Sequence, residues 1–448
     1  MNQGARARLP LAATGLAVAA LAVAGSGAAR GAPATTAVSP AKQVATVTLN
    51  VWDQEVRGGQ AEAIKKLNAQ FEKQYPNIKI KRTAKSFADL LATLKLAASG
   101  PNPPDVVETN NGYSAMGPLV QAKLLLPLDA YSQKNGWRNR YSPGILRMNR
   151  FTRDGKSFGR GSLFGLPMTG EVVGVYYNKA KLRELGVARP TTFGAFEAAL
   201  AKAKAAGETP IQFGNLDKWP GIHTYEEPML QFVTKDFARS WIFGSGGRSF
   251  DTAGTRLAAA KVQEWARKGY FTDGYAGLGY DPSWTQFGKG NGVFLITGSW
   301  LTADLRKALG KDVGFFLLPA RSGRSLSTLG GEGLPWAISS KTKNPDAAAT
   351  YLNFLTRPQN AQVLISAGQL PAMKGTVKVP AGLDTEVYRA WTTANVRDAI
   401  VPYLDWATPT MYDTITASVQ KLMAGRSTPA TFVDEIQSDY SKFHKGGG

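Results

Sequence analysis

The stretch Val44-Ala45-Thr46-Val47-Thr48-Leu49-Asn50-Val51-Trp52-Asp53, with the segment from Gln60 to Ile80 behind it, decides the fold class. Val47, Leu49 and Val51 alternate with Thr46, Thr48 and Asn50, the period of a half-buried strand, which ends at Trp52. From Gln60 the period changes. Ile64, Leu67, Phe71 and Tyr75 recur at helical spacing, Pro76 stops the helix, and Ile78 with Ile80 begin a second strand. Outward from this unit the theme repeats. Leu90, Leu91 and Leu94 mark a helix closed by Gly100 and the Pro101-Asn102-Pro103-Pro104 loop, before a short strand from Asp105 to Val107. Val172 to Tyr177 reads as a strand, Thr192 to Ala206 as a helix ending at Gly207, and Pro210 to Phe213 as another strand. Val293 to Thr297 is a strand that turns through Gly298-Ser299 into a helix from Trp300, with Ser299 as its N-cap; Pro345 to Leu355 and Met411 to Met423 are further helices. Strands alternating with helices imply βαβ units and mainly parallel sheets.

With 448 residues, 43% of them hydrophobic and 19% charged, the chain can bury a full core in two or three domains, and bulk disorder is excluded. The absence of cysteine and the presence of only His223 and His444 remove disulfide frameworks, thiolate metal sites and cysteine nucleophiles, and argue against a histidine-based metal or serine-hydrolase site. No cofactor motif occurs: Walker, dinucleotide, zincin, EF-hand and nucleophile-elbow patterns are all missing. The formal charge of +20 is spread singly or in pairs, with no run resembling a basic arm, which points to a solvated cationic surface and away from nucleic acid. Residues 1–34 read as an export signal: Arg6 and Arg8 precede an apolar stretch from Leu9 to Ala24, followed by small residues with exits at Ala28 and Ala34. Residues 35–43 read as a linker. Ser26 stands where a bacterial lipoprotein signal carries its lipid-accepting cysteine, so the expected product is exported to a periplasm or the medium without a lipid anchor.

Eight segments in order resemble the extracellular solute-binding proteins of bacterial ABC importers, in the carbohydrate-type group that includes maltose-binding protein. They are Val47 to Asp53; Phe71-Glu72-Lys73-Gln74-Tyr75-Pro76-Asn77-Ile78; Ser99-Gly100 with Pro104 to Val107; Leu124 to Tyr131; Gly165-Leu166-Pro167 running to Tyr176-Tyr177-Asn178-Lys179; Lys289 to Trp300; Gly330 to Lys343; and Gly368 to Pro371. The resemblance implies an α/β fold of two lobes, each a mainly parallel sheet flanked by helices, joined by a hinge. It places one lobe in 44–170 and 322–372 and the other in 173–319 and 377–443, with crossings near Thr169 to Val175, Pro319 to Gly323 and Pro371 to Val377. It also implies a monomeric, non-catalytic carrier that closes on a carbohydrate and presents it to membrane permease subunits. One departure concerns the helix at Thr192, where Thr192-Phe193-Gly194-Ala195-Phe196 lacks the acid that the family uses to complete a capping box.

A sugar offers apolar C–H faces and a rim of hydroxyls, so its binder needs aromatic plates and convergent hydrogen-bonding groups. Trp300 follows a strand's carboxyl end, where open α/β sheets place ligands, and matches the family's sugar-stacking tryptophan. Trp219 and Asp217 match an aromatic and an acid that contact sugar in relatives, and Glu171, at the first crossing, matches a ligand-contacting glutamate. Asp53, Gln54 and Glu55 after the first strand, Asn110 and Asn111 after Val106-Val107, and Glu332 in the Gly330 to Gly333 turn complete the expected wall. Trp336, Tyr403 and Trp406 are further candidates, then Trp284 and His223. Two rivals stand beside this reading. A secreted glycosidase would use two of Glu55, Glu171 and Glu332 at about 5 or about 6.5 to 9.5 Å separation. A carrier of the same fold would bind a phosphorylated polyol or a polyamine.

Overall fold

In the computed structural model, which describes residues 45–444, the two main sheets are built from β1 (Val47–Asp53), β2 (Ile78–Ala84), β3 (Val106–Glu108), β4 (Leu166–Pro167), β5 (Val173–Asn178), β6 (Phe294–Gly298), β7 (Val313–Phe316) and β8 (Pro335–Ile338). The expected signal, 1–34, and linker, 35–43, lie outside the described residues. Helix α1 (Gly58–Gln74) returns the chain from β1 to β2 and buries Ile64, Leu67 and Phe71, the apolar positions of the helical period. The strands then pair in parallel over seven residues, Val47 opposite Ile78 and Asp53 opposite Ala84. Helix α2 (Phe87–Ser99) begins where the Ser86 hydroxyl accepts the Asp89 amide at 3.1 Å, and it leads to β3 on the other side of β1. The first sheet has the order β2-β1-β3-β8-β4, with β8 antiparallel to both neighbours.

In the second sheet the order is β7-β5-β6 and every pairing is antiparallel. The expectation of α/β layers holds, but the parallel pairing expected there does not. The central strand β5 enters from the segment that leaves the first sheet, so it runs against the strands that arise within the second. The expected strand at Pro210 to Phe213 contributes only bridges from Ile211, parallel to Phe271 and Phe294. Helix α3 (Phe193–Ala205) packs Phe196 onto Phe294 and Phe316. It starts at Thr192, whose hydroxyl accepts the Ala195 amide with no acid returning the bond.

Short backbone pairings tie the segments that pass between the sheets. Thr169–Gly170 pairs with Leu370–Pro371, Thr328–Leu329 with Ile400–Val401, and Val172 bridges Gly330. The residues expected to cross at 319–323 include an exposed turn, Arg321 to Gly323, and backbone pairing in this part of the chain lies at Thr328 to Gly333. There the amides of Gly331 and Gly333 donate to the carbonyls of Glu171 and Thr169, both at 2.9 Å. Gly330 sits at φ 146°, and a Cβ would stand 2.2 Å from the Glu171 carbonyl oxygen, so only glycine fits. Ser299 is not the N-cap expected of it; its hydroxyl accepts the Val172 amide at 3.3 Å and fastens β6 to this crossing. Among the described residues, no helix is long and apolar enough to cross a membrane.

Candidate functional site

The carboxyl ends of β1 and β3 and the start of α2 face helix α4 (Trp219–Met229), the Trp300 turn and the segment Tyr403 to Asp405 across a cleft. It holds about 640 Å³ of space free of protein atoms, part of it continuous with solvent.

One side is aromatic. Trp219 is the first residue of α4, and its ring lies 4.4 Å from Tyr280 and 6.1 Å from Trp300, inclined 63° to the latter. Trp300 is fixed in turn: its Nε1 donates to the Tyr280 hydroxyl at 2.6 Å, which shares a hydrogen with Thr297 Oγ1 at 2.7 Å. Gly298 makes room for this indole, since a Cβ there would lie 1.9 Å from Trp300 Cζ3. His223, one turn along α4, stacks toward Tyr403 at 5.0 Å.

The opposite side is polar, formed by Gln54, Gln60 and Asn110. Gln60 is 5% exposed, and its buried Oε1 has no hydrogen-bond partner within the protein. Glu171 lies at the floor and accepts the Tyr403 hydroxyl at 2.7 Å.

At neutral pH Glu171 is mostly protonated and Asp405 about half ionised. Burial pushes the Glu171 carboxyl up to about 8, although the Tyr403 hydroxyl opposes the shift. Burial and the Glu226 carboxyl lift Asp405 to about 7. His223 is driven down to about 4 by burial, so its imidazole is neutral as well. Arg57 carries the exposed edge; its Nε meets Asp281 Oδ1 at 3.0 Å and its guanidinium lies 5.1 Å over the Tyr280 ring.

Trp300, Trp219, Glu171, Gln54, Asn110 and Tyr403 line the cavity, as does His223. The other expected residues stand off it. Asp53 is fully buried behind the wall, paired with the Arg82 guanidinium. Glu55 lies beside it, its carboxyl pushed up to about 7 by burial, and faces Glu108, which burial raises further. Asn111 Nδ2 donates to Glu332 and to the Met148 carbonyl, and Asn149 also donates to Glu332, so Asn111 and Glu332 form a buried brace. Asp217 is exposed and accepts the Tyr280 amide at 2.6 Å, which fixes the start of α5 (Tyr280–Gly288). Trp336 and Trp406 are core side chains, 0% and 1% exposed, packed on Tyr351 and on Tyr403. Trp284 donates to Asp281 at 2.7 Å.

A model of the bacterial extracellular solute-binding protein family matches residues 57–362. The chain belongs to that family. It is 24% identical over 318 residues to a multiple sugar-binding protein of Streptococcus mutans, covering 70% of this chain and 72% of the relative. It is 25% identical over 358 residues to a maltodextrin-binding protein of Bacillus subtilis, covering 78% and 77%. Among solved structures, it resembles a chitin oligosaccharide binding protein with a TM-score of 0.78 at 22% identity, over 90% of this chain and 100% of that one. A raffinose complex superposes with a TM-score of 0.68 at 23% identity, over 89% and 100%. These structural likenesses establish the two-lobed solute-binding fold.

The solute-binding protein also lines its cleft with Arg57, Gln60, Phe87, Ile222, Leu334, Asp405 and Tyr412, which sequence reasoning did not single out. Phe87 and Gln60 carry a usable signal, because each opens a helix just beyond a strand's carboxyl end, the rule that selected Trp300. Asp405 lies between two residues already named. Ile222, Leu334 and Tyr412 show no pattern that distinguishes a cavity wall from a core.

Proposed function

We propose that this solute-binding protein captures a carbohydrate of two or more units in the cleft and delivers it, chemically unchanged, to the permease of an ABC importer. The observation that carries the reading is the pair of indoles, Trp219 and Trp300, set 63° apart in a cavity lined also by the amides of Gln54, Gln60 and Asn110 and by the mostly protonated Glu171. Flat rings complement sugar C–H faces, and neutral acids and amides complement hydroxyls without demanding a counter-charge. A phosphorylated polyol or a polyamine would need the opposite, a charged wall. The names of the sugar-binding relatives agree with this choice. Glycosidase chemistry is poorly served: it requires two acids whose pKa values are pushed apart, whereas burial raises the candidate acids Glu55, Glu171 and Glu332 all in the same direction.

The aromatic and polar sides belong to different halves of the cleft, so a ligand touching both favours the shut form. Inverting a 1:99 equilibrium requires about 5.5 kcal/mol of such preference. The protein acts as an exported monomer, free of a lipid anchor. A thermal-shift screen across mono- and oligosaccharides tests the reading, with Trp300→Ala as control and chromatography of the incubated sugar. A stabilising shift that Trp300→Ala abolishes, with the sugar recovered intact, is expected. No shift with any saccharide, or cleaved sugar, overturns it.

A further inference from the structure

Both indoles of the cleft rest on a residue that does not line it. Tyr280 is the first residue of α5 and is 5% exposed. Its hydroxyl accepts Trp300 Nε1 at 2.6 Å, and its ring lies 4.4 Å from that of Trp219, inclined 54°. The Arg57 guanidinium, from the segment between β1 and α1, covers the same ring at 5.1 Å. The Tyr280 amide donates to Asp217 Oδ2 at 2.6 Å and the Leu216 amide to the Leu278 carbonyl at 3.0 Å, so the loop before α4 is bound to the loop before α5. Between Asp217 and Trp219, Lys218 stands at φ 67° and ψ −43°, in a tight turn closed where the Trp219 amide donates to the Asp217 carbonyl at 2.8 Å. A lysine in that conformation is strained and keeps it only where its surroundings hold it. Pro220 follows and restricts the Trp219 backbone from the other end. Trp219 thus opens α4 from a backbone constrained on both sides.

We propose that Tyr280 is the positioning residue of the aromatic corner and Asp217 its anchor, the two together holding Trp219 and Trp300 at one fixed mutual angle before a solute arrives. The value of that angle to a saccharide rests on the carbohydrate reading; the angle itself does not. An indole free to turn about its side-chain torsions loses that freedom on binding, and a plate already set does not. Trp300 spends its only donor on Tyr280, so it offers the solute ring faces alone. Asp217 thereby takes a part different from the sugar contact implied by resemblance: its carboxylate is engaged by the Tyr280 amide and stands outside the cavity lining. A carboxamide oxygen can accept the same amide, so the anchor needs an acceptor at this position and not a charge.

Among the described residues no other two indoles approach as closely as these, so the exciton couplet of paired indoles in far-ultraviolet circular dichroism reports this corner. The test records that couplet on the ligand-free full chain, and isothermal titration with maltotriose, raffinose and chitotriose, for the wild type, Trp300→Phe, Tyr280→Phe, Asp217→Ala and Asp217→Asn. Trp300→Phe should abolish the couplet and so define its size. Tyr280→Phe and Asp217→Ala should each cut it to less than about half and weaken the saccharide that binds about tenfold, the loss of one hydrogen bond to the corner. Asp217→Asn should keep couplet and affinity within about twofold of the wild type, because the acceptor remains. Asp217 is exposed, so its replacement leaves the core intact and a loss there is not unfolding. No couplet in the wild type, or an undiminished one in both Tyr280→Phe and Asp217→Ala, overturns the proposal whatever the sugars do. An affinity that Asp217→Asn lowers as far as Asp217→Ala, with the couplet intact, makes the carboxylate a ligand contact and overturns its anchoring part. Failure of every saccharide to bind overturns the carbohydrate reading, while the couplet still decides the positioning.

Discussion

Replacing Glu171 by glutamine should make the protein increasingly more stable than the wild type as pH rises. In the wild type, the carboxyl accepts the Tyr403 hydroxyl at 2.7 Å, and burial lifts it from the ordinary 4.5 to about 8. Because the folded value lies above the unfolded one, the unfolded chain releases this proton first. Wild-type stability is therefore intact below pH 4.5 and is lost progressively as pH climbs toward 8. At 1.36 kcal/mol per unit, the full shift corresponds to about 5 kcal/mol, and screening by water on the cleft side lowers this to about 2. Glutamine is permanently neutral and keeps an acceptor for Tyr403, so it escapes the loss. An unfolding entropy of about 2.1 cal/mol/K per residue, over the chain from 45 to 444, converts 1 kcal/mol into about 1 °C. Scanning calorimetry at pH 5 and pH 8.5 should therefore show the Tm difference between variant and wild type widen by about 2 to 5 °C. The other buried carboxyls titrate in both proteins and cancel in that difference. Parallel Tm–pH curves would refute the assignment of a neutral acid to the cleft floor.

The same substitution should flatten the pH dependence of binding: saccharide affinity of the wild type falls above pH 8 as Glu171 ionises, and that of Glu171→Gln does not, as titration calorimetry at pH 6 and 9 would show. Gly298→Ala should weaken saccharide binding at least tenfold, because the new Cβ claims the position of Trp300 Cζ3 and expels the indole; unchanged affinity would mean that Trp300 is not a plate. Arg57→Ala breaks a pair whose Asp281 side chain is 55% exposed, an interaction of up to about 1 kcal/mol, so affinity should fall no more than about fivefold while the scattering radius of the ligand-free protein increases. A loss far beyond that would show Arg57 touching the ligand itself. Glu227→Gln should raise Tm at pH 9, since Glu227 is held near 8 by burial while accepting the Leu329 amide at 3.0 Å.

Local periodicity carried much of the fold. The β1, α1 and β2 pattern is visible in the chain because each apolar position faces a core that the element itself defines. The insertion of Pro335–Ile338 between β3 and β4 is a choice among distant partners that no local pattern encodes. Trp300 and Trp219 were legible through their place at strand ends and turns. Trp336 and Trp406 were not separable from them, because an indole facing a ligand and an indole facing a core obey the same transfer energetics. Asp53 and Glu332 show the matching problem for acids. Both lie near the cleft, but one has a guanidinium beside it and the other two asparagine amides, partners that are 29 to 221 residues away in sequence.

The contact at the head of α1 has a further consequence. Gly58 and Gly59 have no side chains, and a Cβ on Gly58 would lie 2.4 Å from Asp304 Oδ1, a carboxyl on the helix Thr302–Leu309 that connects β6 to β7. Burial raises that carboxyl, while the Gly58 and Gly59 amides and Arg57 oppose the rise. A helix N-terminus attracts an anion whether or not the cleft is filled. The head of α1 is thus joined to Asp304 through backbone amides that no solute has to touch.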